Sequence, residues 1–239
     1  MSDSASAKSS PDLRALARAI LDTVLAGDRQ PVAVAHPLEF VCIPLLRTPG
    51  LGVCGHIWQD GQAAPTVHCH SWHLTSEVIA GALFNEVFAV TDSSEGDQHL
   101  LDVESTGPLD RIAATGRTVT VQTEQRTLYE AGDTYYCLRA GVFHRSTPAS
   151  TGPTITLLAG RTVPGANDQI VASRARGQRA TRRGELPIPA ARALAVLLRS
   201  AVGEPGPLSP TENRQKGRNA DLPFQFYDVA PAKSDASPP

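Results

Sequence analysis

The chain reads as an all-β protein, a sandwich or barrel, and three observations predict this. Short runs rich in Val, Ile, Thr, Tyr and Phe recur at 40–46, 51–58, 78–90, 118–122, 134–138 and 154–159. Gly, Pro and Asp clusters separate these runs as turns separate strands. Residues 68–73 read His-Cys-His-Ser-Trp-His, and a later apolar stretch ends in Gly141-Val142-Phe143-His144. Two histidines two residues apart on a strand project from the same face, which ties the β reading to chemistry.

The elements follow in chain order. Residues 1–10 are rich in Ser and Ala and read as a disordered N-terminus. Ser10-Pro11 supplies an N-cap and a first-turn proline for a helix over 11–27, closed by Gly27. Leu13, Leu16, Ile20 and Val24 recur at spacings of three and four, so this helix is expected to lay one apolar stripe on the outside of the main body. Residues 36–170 form the barrel. Within it, 98–115 is polar, carries Gly107-Pro108, and reads as a surface loop. After Gln169 the β pattern stops. Arg174, Arg176, Arg179, Arg182 and Arg183 form a basic run that reads as a solvated linker. Residues 189–202 then read as a helix with Leu194, Leu197 and Leu198 on one side. The extension 171–239 as a whole is expected to be mostly disordered, apart from an apolar patch at 222–227.

Bulk properties narrow the function classes. The chain has 239 residues and a formal charge of −2, so nothing global favours nucleic acid or an acidic membrane. The arginine run lacks the interleaved aromatics on which bases stack, which argues against nucleic acid there too. No apolar run reaches the roughly 18 residues of a membrane span, and MSDSASAKSSPD has no apolar segment of a secretory signal. Cys42, Cys54, Cys69 and Cys137 stand singly, without CxxC spacing, which fits reduced thiols and a cytoplasmic location.

A lone histidine on a strand is more often a packed residue than a ligand. His68 and His70 differ because both rings must face one way, between apolar runs that set them inside a barrel. His144, from a later strand, can close a three-ligand set with positions left open to a substrate or to oxygen. The metal ligands are therefore expected to be His68, His70 and His144, each binding through a neutral ring nitrogen.

At these residues the chain resembles the cupins. Gly61, then His68-Cys69-His70, then Gly81 follow the first cupin pattern. Gly132-Asp133 with Arg139-Ala140-Gly141-Val142-Phe143-His144 follow the second, with Arg139 where proline is usual and one extra residue. The likeness spans about residues 40–163 and implies a double-stranded β-helix, or jelly-roll barrel. It departs at the ligand glutamate, whose position is Leu74. Glu77 lies nearby with the opposite strand parity, as does His73, so both are expected to point away from the cavity.

Three histidines without a carboxylate resemble the cysteine dioxygenase-like branch of the cupins. Residues 76–88 are similar to the strand, Gly turn and strand that follow its His-x-His. Leu46-Arg47 stands where that branch has an upstream arginine holding the substrate carboxylate. The resemblance thus implies Arg47 as a catalytic-site residue, and Fe(II) as the metal, although three histidines also accommodate Zn, Mn or Ni. It implies a small carboxylate- or thiol-bearing substrate and O2 as partners; the wider resemblance to cupins, which often pair through their sheets, implies a homodimer. The crosslinking Cys of animal members is Leu74 here, and their Ser-x-His-x-Tyr strand corresponds to 156–160, without its His and Tyr. Tyr135 or Tyr136 on the strand leading to His144 offers a replacement hydroxyl, and Tyr135 is the one assigned. Trp72, Leu74, Ser76 and Val78 share the ligand face. Two other functions remain open on this scaffold: a redox-neutral metal-dependent isomerase or lyase, and a non-catalytic ligand-binding cupin.

Overall fold

A computed structural model describes residues 11–48, 50–58, 66–132, 135–173 and 179–203. In chain order it contains α1 (Pro11–Ala26), β1 (Val34–His36), β2 (Phe40–Thr48), β3 (Leu51–Trp58), β4 (His68–Cys69), β5 (Trp72–Ala80), β6 (Ala82–Asp92) and β7 (Gln98–Thr106). There follow β8 (Leu109–Glu130), β9 (Tyr135–Leu138), β10 (Phe143–Pro148), β11 (Thr154–Thr162), β12 (Asp168–Ala172), β13 (Arg179–Arg182), β14 (Gly184–Glu185) and α2 (Ile188–Val202).

The strands form two seven-stranded sheets whose ladders are antiparallel. One runs β14-β1-β2-β3-β11-β5-β9 and the other β13-β8-β6-β10-β4-β12-β7, with β8 also pairing β7. Strand partners lie far apart in sequence, as in β3 with β11 and β4 with β10, and the sheets face each other as a jelly-roll barrel of the cupin type. Each sheet strand therefore has two destinations for its side chains. On the first sheet, Ile43, Leu45, Val53, Ile57, Ile79, Ile155, Leu157 and Ala159 pack outward under the two helices. Phe40, Trp58, Trp72, Leu74, Val78 and Leu158 pack inward. This double burial explains why β11 is buried along almost its whole length.

The helices cover the first sheet from outside, as expected for α1. Their buried stripes are rotated from those the leucine spacing predicts. In α1 the buried set is Leu13, Ala17, Leu21 and Val24, while Leu16 is 38 % exposed. In α2 it is Ala191, Ala195, Leu198 and Val202, while Leu197 is 38 % exposed. The approach of α2 to the sheet is close at one point, where a Cβ on Gly55 would collide with the Leu198 side chain. None of the described helices is long and apolar enough to cross a membrane.

Two further expectations give way. Residues 98–115 are not a loop but the β7–β8 hairpin, turning at Gly107 with φ +62°. Its polar exposed face hid buried residues such as Leu100 and Leu101. Nor does the β pattern stop at Gln169. β12 pairs both β4 and β7, β13 pairs β8, and β14 pairs β1, so the chain beyond the barrel rejoins both sheets. Edge pairing needs backbone groups rather than an apolar sequence, which is why an arginine-rich stretch could take it up. Arg174, Arg176, Gly61 and the patch 222–227 lie outside the described residues.

Candidate metal centre

The histidine cluster is assembled by strand register. His144 on β10 sits directly opposite His68 on β4, and β10 is held on its other side by β6. His70 follows two residues after His68 and keeps the same facing. Its position is fixed from the backbone, since its carbonyl accepts the Gly141 N–H at 2.9 Å. Gly141 sits in a tight turn closed by Val142 N–H to Arg139 O at 3.2 Å, with φ +79°, a conformation that favours glycine. The glycine of the second motif thus ties the strand of His144 to His70.

The three rings converge. Their centroids lie 4.9 Å (His68–His70), 4.4 Å (His68–His144) and 5.1 Å (His70–His144) apart. One ring nitrogen from each lies within 4.8 Å of the others. Nitrogens sharing an ion at about 2 Å each stand about 3 Å apart, a spacing that falls inside this bound. His68 and His144 are buried, and His70 is half-buried.

The electrostatics suit a cation. Burial lowers the pKa of His68 to about 4, against a smaller opposing effect of its bond to Thr66. Burial also holds His70 and His144 well below the ordinary histidine value, with further lowering by neighbouring ring charges. All three are neutral at pH 7. His68 Nδ1 donates to Thr66 O at 2.8 Å, and His144 Nδ1 to Val142 O at 3.3 Å. Those bonds set the tautomer and leave the Nε2 lone pairs for a metal. The donor set therefore fits a divalent first-row metal.

The cluster forms part of the wall of a cavity of about 780 Å³. Phe40, Trp58, Trp72 and Leu158 supply apolar wall, and the Trp72 ring packs on His70 at 4.4 Å. A Cβ on Gly160 would strike the Trp72 ring, so the glycine makes room for this packing. Ser76 Oγ and Trp58 Nε1 are buried at this wall with no hydrogen-bond partner among the described residues.

Arg47 lines the same cavity. Its aim comes from a β-bulge between Pro44 and Leu46, where Leu45 is the extra residue and its carbonyl accepts Arg29 Nη1 at 2.6 Å. The bulge reverses the alternation of β2, and Gly52 opposite Arg47 offers no side chain to block it. Proline at 44 is tolerated there because a bulge relaxes the ladder.

Glu77 is fully buried on the far side of β5, where Arg14 of α1 donates from Nε to its Oε1 at 2.6 Å. His73 also turns from the cavity and accepts the Ala140 N–H at 3.0 Å. Both follow the parity read from the sequence. Tyr135 stands opposite Glu77 in backbone register; its side chain lies outside the described residues.

Sequence reasoning missed two groups. Arg183 bonds Asp110 through Nε at 2.9 Å and Nη2 at 2.8 Å, and its backbone N–H reaches Pro108 O at 2.7 Å, clamping the hairpin beside the cavity. Cys42, Cys54 and His56 also gather within 4.8 Å on the cavity wall. A signal for the second existed: Cys54 and His56 share strand parity.

Fold and site together define a cupin-type barrel with a three-histidine cluster able to bind a metal. No family model and no curated protein matches the chain. Among solved structures, the chain is similar to a hydroxypropylphosphonic acid epoxidase from S. wedmorenis, with 15 % identity, TM-score 0.36 and 56 % of each chain covered. It thus spans just over half the length of that enzyme. An RmlC-like cupin family protein from Methanocaldococcus jannaschii has 9 % identity and TM-score 0.32, over 52 % of this chain and 82 % of that one. A hydroquinone 1,2-dioxygenase has 15 % identity and TM-score 0.35, over 54 % and 67 %. The barrel rests on this chain's own strand order rather than on these likenesses.

Proposed function

We propose that the protein is a metal-dependent cupin enzyme, an Fe(II) dioxygenase of the cysteine dioxygenase-like kind, acting with O2 on a small carboxylate- or thiol-bearing molecule. One observation carries the reading: three neutral imidazoles converge at a cavity wall in a cluster that includes no carboxylate. His68, His70 and His144 would hold the metal. A ferrous ion bound there would supply a redox-active, positively charged centre that favours an anionic substrate and needs no external reductant.

The remaining work falls to the chain itself. Arg47 faces the cavity and can grip a carboxylate through two parallel hydrogen bonds. Ser76 Oγ and Trp58 Nε1 are buried and unpartnered among the described residues, so a substrate with polar groups would satisfy them. Phe40, Trp72 and Leu158 make the wall around Ser76 and Trp58 apolar, which strengthens the contacts of those two groups, whereas Arg47 is exposed to solvent. The test is oxygen uptake by Fe(II)-loaded protein against a panel of small thiols, amino acids and carboxylates. Uptake in step with substrate loss, abolished by His144→Ala, is the expected result. Turnover without oxygen, equal with zinc, would instead make the protein a redox-neutral isomerase or lyase.

A further inference from the structure

The geometry points to a second metal site in the same chamber, built by Cys42, Cys54 and His56 and selective for a thiophilic divalent cation of the zinc class. Cys42 on β2 stands directly opposite His56 on β3, and Cys54 lies two residues before His56 on the same face. The sulfur of Cys54 is 3.3 Å from His56 Nε2, and one donor atom from each residue lies within 4.8 Å of the others. Sulfurs and a nitrogen bound tetrahedrally to zinc stand between about 3 and 4 Å apart, given Zn–S of about 2.3 Å and Zn–N of about 2.0 Å. The donors are thus close to coordinating positions.

Three features favour a cation over a disulfide or plain packing. Cys54 is diagonal to Cys42 rather than opposite it, because its ladder partner is Pro44. Diagonal residues across an antiparallel pair stand about 7–8 Å apart, beyond the usual disulfide span of about 4.4–6.8 Å. Both thiols are accordingly free. The imidazole of His56 is held in place by Phe40, with ring centroids 4.2 Å apart, and by the edge of Trp58 at 6.3 Å. A ligand whose orientation is already set loses less entropy on binding. Finally, all three residues line the cavity rather than the outer face, so a tetrahedral ion would keep its fourth position open to the chamber.

Charge balance is simple. Binding releases one proton from each thiol to solvent, and the two thiolates neutralise the divalent ion, so no net charge is buried. The two sites differ in softness. Thiolates select zinc-class ions, whereas three imidazoles accept iron as readily.

The test is titration of the reduced full-length protein with Co2+ under anaerobic conditions. Two ions per chain and a near-ultraviolet thiolate-to-cobalt charge-transfer band are expected. Cys42→Ser/Cys54→Ser should keep one ion and lose the band, while His68→Ala/His70→Ala should lose the other ion and keep it. One ion per chain without the band, or a band that survives the double serine variant, overturns the proposal. X-ray absorption at the zinc edge of the unmodified protein needs no variant to fold. Sulfur neighbours to zinc support the site, and nitrogen and oxygen neighbours alone overturn it. Failure here leaves the three-histidine reading intact, since that reading depends on His144→Ala and oxygen uptake.

Discussion

Arg14 on α1 and Glu77 on β5 form an ion pair through the outer wall of the barrel, with Nε donating to Oε1 at 2.6 Å and the glutamate side chain fully buried. The pair ties the N-terminal helix to the strand that follows the histidines, and it commits that acid to structure. Arg14→Ala leaves a buried carboxylate without its cation and is expected to cost about 3 kcal/mol, read from denaturant midpoints. Metal content of the folded fraction should not change. A folded Glu77→Gln protein that loses its metal would make the acid a ligand after all.

His144→Ala removes one of three converging nitrogens. The fold should persist, because β10 is held by β6 along its length. Affinity for Fe(II) is expected to fall by at least about 100-fold, more than the loss seen for groups that only orient a ligand. Equilibrium dialysis against a chelator measures it; unchanged affinity would remove His144 from the set.

Gly160→Ala tests the packing behind His70. The new methyl meets the Trp72 ring, which rests on His70. Overpacking of this kind costs about 1–3 kcal/mol. A shifted tryptophan emission together with weakened metal binding is expected. Wild-type spectra and affinity would show that the wall yields without disturbing the ring.

Arg47→Ala should lower kcat/KM for a carboxylate substrate by about 10- to 100-fold, from the loss of about 1.5–3 kcal/mol of charged hydrogen bonding. Arg47→Lys should recover only part of it, because an ammonium cannot make the paired contact. Equal losses for substrates without a carboxylate would mean that Arg47 does something else.

Metal-free protein should lose stability as pH falls from about 6.5 to about 4. Burial holds His68 at about 4 when folded, against 6.5 ordinarily, and lowers the other two rings as well. The unfolded chain therefore binds more protons in that window, and stability rises with pH across it. For His68 alone the penalty for charging the buried ring grows from nothing above about 6.5 to about 3 kcal/mol by about pH 4. Urea unfolding at stepped pH reads the slope; a flat profile would mean that the rings are hydrated in the folded state.

The histidine set was legible because it depends on local rules. Two residues apart on a strand means one face, and the same parity rule sent Glu77 and His73 to the other. The resemblance supplied Arg47 as a candidate. What failed was reading polarity as irregularity. The hairpin at 98–115 and the stretch with Arg179 and Arg182 both looked like solvated chain, yet a strand with one wet face, or one on a sheet edge, needs few apolar residues. The helix stripes failed differently. Leucine spacing marks an apolar side, but the packing of the two helices on each other and on the sheet decided which residues are buried, and Ala17, Ala191 and Ala195 are among them.

By itself, then, the amino-acid order determined the β class and the facing of His68 and His70, since each follows from chain geometry within a few residues, whereas the outward facing of Glu77 also needed a strand without a bulge there, which the structure supplies. Only the tertiary structure decided that His144 lies across from His68, that a bulge turns Arg47 inward, and that Cys42 and Cys54 gather with His56. Those relations join residues through strand register, and register is set by the packing of the whole barrel.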